Sequence, residues 1–130
     1  MNTRLLMASS AILMGISGLA CSFLPQEIVK LLGLGNENVF AIVFQILGAL
    51  YLGFAMLNWM AKANVIGGIY SKPIAMGNFM HFVVGSLTLV KFFLKEGDIK
   101  MLILPFAVYV LYALWFGMAA FTDPDLKKRS

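Results

Sequence analysis

The chain is poor in most of the residues that carry chemistry. Its 130 residues include one cysteine, one histidine and six carboxylates, and charged side chains make up 12% of it. With Cys21 alone, no intramolecular disulfide, CxxC pair or thiolate metal cluster can form within the chain, which excludes a dithiol mechanism such as disulfide or quinone-epoxide reduction. With His81 alone, a haem held by two histidines would need a second copy of the chain. There is no Ser/His/acid set, no glycine loop beside a lysine to cradle phosphate, and no metal-ligand cluster. Gly33-Leu34-Gly35 has none of the surroundings of a nucleotide site, and the nine methionines lack the paired spacing that suits copper. These absences favour a non-enzymatic role and leave the enzyme question open.

Charge is missing altogether from residues 5–26, 38–61, 73–90 and 101–122. Crossing a hydrocarbon core of about 30 Å takes roughly 20 helical residues, and a bilayer holds no water to satisfy bare backbone groups, so such runs cross as helices. The chain is 61% hydrophobic, with a mean hydropathy of +0.88. Too little polar chain lies outside the four runs to build a soluble domain. Residues 1–130 thus read as a single integral membrane domain: an all-α four-helix transmembrane bundle, with spans expected at residues 5–24, 39–60, 74–93 and 101–121. None of the six carboxylates falls inside a span, so the tunable buried acid of a proton-coupled exporter is missing. The net charge of +4 comes from cations at helix ends, where they meet lipid headgroups, and not from a basic and aromatic surface suited to nucleic acid.

The first span ends in Gly18-Leu19-Ala20-Cys21, reminiscent of a lipoprotein cleavage box. Gly18 stands where leucine is usual, and Ser22-Phe23-Leu24 continues the apolar run, so an uncleaved first helix is expected. Ala8, Ala11, Gly15, Gly18 and Ser22 recur at helical spacing, a small-residue stripe that lets another backbone approach. Gln45, Gly48 and Gly53 of the second span are the expected contact points on a neighbouring helix. Residues 25–34 form a short amphipathic segment, with Ile28, Leu31 and Leu32 on one face and Gln26, Glu27 and Lys30 on the other, suited to the headgroup plane. Gly33 and Gly35 end it, and residues 36–38 offer a cap for the next helix. The loop with Gly67-Gly68 and Tyr70, the turn at Gly97, and the stop at Asp123-Pro124-Asp125 separate or close the remaining spans. The charge-free part of the third span is short, so Lys91 must snorkel or face internal water.

His81 shares one side of its helix with Asn78, Gly85 and Thr88. Amide, imidazole and hydroxyl groups need partners in hydrocarbon. Tyr51, Asn58, Asn78 and His81 form the candidate polar set, and two readings stand side by side. His81 either binds a small ligand such as a quinone carbonyl, assisted by Asn78, or belongs to an interhelical hydrogen-bond cluster with Gln45 or Asn58. Tyr109, Tyr112, Trp115 and Phe116 either line an apolar cavity, face lipid or fill a core. No cofactor is identified from the sequence, a quinone being compatible with this set; no metal site is read.

The layout as a whole resembles a known family. Leu24-Pro25-Gln26-Glu27 and Leu31-Leu32-Gly33-Leu34 are followed by Gln45-Ile46-Leu47-Gly48-Ala49-Leu50-Tyr51-Leu52-Gly53-Phe54 and Asn58-Trp59. This pattern resembles the DoxX-like superfamily of small four-helix bacterial membrane proteins. The resemblance implies a bacterial inner-membrane protein. Some relatives are small membrane subunits linked to quinone-dependent sulfur oxidation, and others are accessory or assembly factors; no catalytic residue transfers. The expected role is a lipid- or quinone-like ligand binder or an accessory subunit, the alternatives being an oxidoreductase subunit passing electrons to quinone or a passive small-solute carrier. Compatible partners are the bilayer, a membrane-protein partner or a second copy of the chain.

Orientation follows from the cations. Arg4, Lys62, Lys72, Lys127, Lys128 and Arg129 lie on the side of both termini, against Lys30, Lys91, Lys95 and Lys100 opposite. The positive-inside rule places both termini in the cytoplasm. A reporter that fluoresces only when folded in the cytoplasm should therefore be bright when fused after Ser130 and dark when inserted after Gly35; the reverse pattern would invert the topology.

Overall fold

The computed structural model describes residues 2–64, 71–96 and 100–122. Among them the fold is all-α, without strands: α1 (Thr3–Phe23), α2 (Pro25–Leu31), α3 (Glu37–Ala61), α4 (Lys72–Glu96), a 3-10 turn (Lys100–Leu102) and α5 (Ile103–Phe121). α1, α3, α4 and α5 with its preceding turn are long and apolar enough to cross a membrane. Large apolar side chains cover their outer surfaces, Ile16 at 65% exposure, Leu87 at 63% and Leu114 at 65% among them. A water-soluble monomer rarely tolerates so much contiguous apolar surface, whereas acyl chains are its natural solvent. This is a multi-pass membrane protein. The Gly67-Gly68 and Tyr70 loop, the Gly97 turn, the Asp123 stop and the basic tail lie outside the described residues.

Local signals place the helix ends. Asn2 Oδ1 accepts the amide of Leu5 at 3.0 Å, and Asn36 Oδ1 accepts that of Val39 at 3.4 Å, so an asparagine caps the start of both α1 and α3. α1 stops because Pro25 lacks an amide hydrogen; Leu24 takes a non-helical conformation and Pro25 opens α2 as its first residue. α2 ends at Gly33, whose φ of 68° suits only glycine without strain. There the Leu34 amide donates to Val29 O and the Gly33 amide to Lys30 O, a Schellman closure. Pro25 and Val29, one turn apart, are the buried residues of α2, while Leu31 and Leu32 are exposed. α4 continues to Glu96, past the short charge-free stretch; Lys91 lies on its exposed surface and Lys95 meets Glu96 at 3.9 Å, both in the open.

The chain divides into two compact units, residues 7–60 and residues 1–6 with 61–130. In the first, α1 and α3 meet through their backbones. A Cβ placed on Gly18 would lie 3.0 Å from Gly48 O and 2.8 Å from Leu52 Cγ. One placed on Gly48 would strike Ser22 Oγ and sit 2.9 Å from Gly18 O. Gly15 faces Ala55 at 3.8 Å, and Ala11 is buried. The small stripe is thus the contact, and van der Waals closeness replaces the hydrophobic drive that lipid cannot supply. Two expected contact points do not take part. Gly53 has nothing within 4 Å of its virtual Cβ, and Gln45 is exposed. Gly53 lies about 140° round α3 from Gly48, on the far side, and Gln45 lies about 60° from Gly48, at the edge of the contact.

The second unit joins α4 to α5 by aromatic stacking. Phe82, 1% exposed, stacks on Tyr112 and Phe116 with ring centroids 5.0 and 5.7 Å apart, and meets Tyr109 edge-on at 5.2 Å. Phe79 packs on Phe121 and fills the space beside Gly117. Gly48→Ile should lower the midpoint of SDS-induced unfolding, since overfilling a packed contact costs roughly 1–3 kcal/mol. Gly53→Ala should change it by less than about 0.5 kcal/mol. Equal effects would disprove the assignment of the two faces.

Candidate functional site

The four candidate polar residues fall in different units, Tyr51 and Asn58 in residues 7–60, Asn78 and His81 in residues 61–130. Each pair is described within its own unit.

Asn58 is fully buried near the end of α3. Its Nδ2 donates to Ser10 Oγ at 3.0 Å and lies 3.8 Å from Met14 Sδ, and Ser10 Oγ in turn donates to Met7 O at 3.0 Å. The asparagine therefore ties α3 to α1, and the α1 hydroxyl serves as the link because serine can accept from one helix while donating to its own preceding turn. This is polar glue of the kind expected inside hydrocarbon. Tyr51 is half-buried on the same helix, two turns earlier.

In the other unit, Asn78 is fully buried one turn before His81, and its Nδ2 donates to Ile74 O at 2.9 Å. His81 is half-buried in the middle part of α4. Its Nε2 lies 3.2 Å from Tyr109 Oη of α5, and the two rings are tilted at 49° with centroids 5.5 Å apart. The imidazole tautomer decides which group donates. Phe82 abuts both rings, its centroid 5.1 Å from that of His81. The result is a hydroxyl–imidazole pair on the flank of an aromatic stack, with Trp115 at its far side, 6.2 Å from Tyr112. Of the α5 aromatics named from the sequence, Tyr109, Tyr112 and Phe116 pack against Phe82 in the α4–α5 contact, and Trp115 stacks on Tyr112.

Gly85 sets this geometry. A side chain there would collide with the Tyr109 ring, Cδ1 lying 2.5 Å from a virtual Cβ. The notch left by its missing side chain is what seats Tyr109 beside His81. Thr88, expected near the same pocket, is exposed and donates back to Val84 O at 2.8 Å. Ser86 is buried and donates to Phe82 O at 2.7 Å, satisfying its hydroxyl within the helix. Gln45 lies in the other unit, residues 7–60, where it is exposed.

Sequence reasoning missed Tyr109 as the partner of His81. The available signal was chemical: a phenol in mid-span also needs a partner in hydrocarbon. What hid it was register, since which residue of the last helix lies opposite His81 depends on how α4 and α5 dock. Arranged in this way, the pair can donate to, accept from or exchange a proton with an oxygen presented at its open edge, and the flanking rings offer faces for stacking. No family model, curated protein or solved structure matches the chain.

Tyr109→Phe and Gly85→Val should each shift the imidazole ¹⁵N signals of His81 in the same direction, because both remove its hydroxyl partner, whereas Thr88→Val should leave them in place. The Tyr109→Phe chain should lose only about 0.6 kcal/mol of stability, the average worth of a side-chain hydrogen bond between membrane helices. An unchanged His81 spectrum in both site variants would disprove the pairing.

Proposed function

We propose that this chain is a small inner-membrane protein of bacteria, with both termini in the cytoplasm, that binds a quinone-like ring ligand along the α4–α5 pair and serves as an accessory subunit of a membrane complex. The single observation that carries the reading is the His81 Nε2 to Tyr109 Oη contact of 3.2 Å, half-buried in mid-span beside the Phe82 stack. His81 is the tenth of the 25 residues of α4, about 4–5 Å from the helix midpoint at 1.5 Å per residue. A water-soluble metabolite does not reach that depth; a lipid-soluble molecule with a flat ring and a carbonyl does. The carbonyl would take a hydrogen bond from the pair, and the ring would lie against the aromatic surface. The paucity of charge along the spans suits a neutral ligand entering sideways from the acyl chains. The likeness of the layout to the DoxX-like superfamily supports both membership of that group and the accessory role.

A chain carrying Trp59→Phe retains Trp115 as its only indole, close to the stack. In lipid nanodiscs, a short-tailed benzoquinone should quench this fluorescence saturably. His81→Ala and Tyr109→Phe should each weaken the apparent affinity by about tenfold, the equivalent of 1.4 kcal/mol for one lost hydrogen bond to ligand. Quenching that rises linearly with quinone and is identical in all three chains would refute the reading.

A further inference from the structure

The α5 aromatics carry an observation that the ligand reading does not use. Tyr109, Tyr112 and Trp115 follow one another at three-residue spacing, which makes each a neighbour of the next on the helix surface. Phenol and indole are the aromatic side chains that give up one electron readily; a plain benzene ring does not. The Tyr112 and Trp115 rings stack with centroids 6.2 Å apart. Phe82 bridges the other interval, its centroid 5.0 Å from that of Tyr112 and 5.2 Å from that of Tyr109. Three oxidisable rings are thus joined by ring contacts, and electron exchange is fast at such separations. All of these contacts lie within the second compact unit.

One end of this ladder also has a place for a proton. A phenol that loses an electron becomes a strong acid, and the charged radical is costly in hydrocarbon unless the proton leaves with the electron. Of the three rings, Tyr109 is the one set beside a base: its Oη lies 3.2 Å from His81 Nε2. With the imidazole hydrogen on Nδ1, the phenol donates to Nε2 and the proton has only that hydrogen bond to cross. The depth of His81 in its span puts the pair where radicals formed on lipid tails dissolve.

We infer that Tyr109 is a one-electron donor that quenches alkylperoxyl radicals in the bilayer, with His81 as its proton acceptor and Tyr112 and Trp115 as its relay. An alkylperoxyl radical is the species that oxygen forms at allylic carbons of acyl or polyprenyl tails. It takes one electron from the ladder, Tyr109 refills the ladder, and the phenolic proton moves to His81 Nε2. The reduced peroxide takes up one proton and the imidazolium releases one, so the sum is a hydroperoxide and a neutral tyrosyl radical. A quinol then returns one hydrogen atom to the phenoxyl oxygen, and two of the resulting semiquinones disproportionate to quinone and quinol. Radical formation needs no bound quinone, whereas repair by quinol rests on the site proposed above, so the two fail separately.

The test uses the full chain in lipid nanodiscs with a lipid-tailed ruthenium tris-bipyridine, which a laser flash in the presence of persulfate converts to a one-electron oxidant. Electron paramagnetic resonance should show a tyrosyl radical that is lost in Tyr109→Phe and retained in Tyr112→Phe. His81→Gln keeps a hydrogen-bonding group but is no base, and should slow formation of the radical roughly 100-fold, as expected for a positioned general base. A short-tailed benzoquinol should shorten the lifetime of the signal. In vesicles of unsaturated phosphatidylcholine with that quinol and a lipid-soluble azo initiator, the parent chain should slow oxygen uptake more than Tyr109→Phe does. A signal of equal size in Tyr109→Phe, arising from Tyr51 or Tyr70, would overturn the proposal. So would an unchanged rate in His81→Gln, a signal indifferent to quinol, or equal oxygen uptake with the two chains.

Discussion

The absence of water around the spans governs how every polar side chain in this molecule is treated. In a soluble protein an asparagine or serine on a helix can turn to solvent at no cost. Here it must bond to the preceding turn or to another helix, because a bare amide or hydroxyl in hydrocarbon loses several kcal/mol. Thr88 and Ser86 return to carbonyls one turn back, Ser10 does the same while receiving Asn58, and His81 takes Tyr109. The few polar residues are therefore not scattered decoration. They mark where helices meet, or where the protein presents a bond to something else.

The two helix pairs solve the packing problem in opposite ways. α1 and α3 remove side chains at Gly18 and Gly48 until main chain nearly touches main chain. α4 and α5 use Gly85 and Gly117 as sockets for the rings of Tyr109 and Phe79. The first contact is flat, and the buried Asn58 amide bonds across it to Ser10. The second interlocks large rings, leaves the His81 edge half-open, and suits a site that must hold shape while part of it stays accessible.

Much of this could be read from the chain. Charge-free runs of span length gave the helices their number and near limits, Pro25 gave the end of α1, and the Ala11–Gly15–Gly18–Ser22 stripe gave the face of α1 that packs. These signals are local, set by length, by a missing amide hydrogen and by helical spacing. What was not legible depended on docking. The spacing of Gln45 and Gly53 matched that of Gly48 well enough to suggest contact, yet only the choice of which side of α3 meets α1 decides between them. The partner of His81 lies 28 residues away on a helix whose register no local pattern sets. In α2, whose seven residues span barely two turns, the burial of Pro25 and Val29 depends on docking and is marked by no local pattern.

The short connection through α2 has a consequence for biogenesis. Gly18 and Gly48 are separated by 30 residues, and a compact seven-residue helix closed at Gly33 takes up part of that distance. The ends to be joined are thus held near each other as soon as α3 leaves the translocation machinery, which keeps the loop-closure entropy low. α1 and α3 can pair as a hairpin before α4 enters the bilayer.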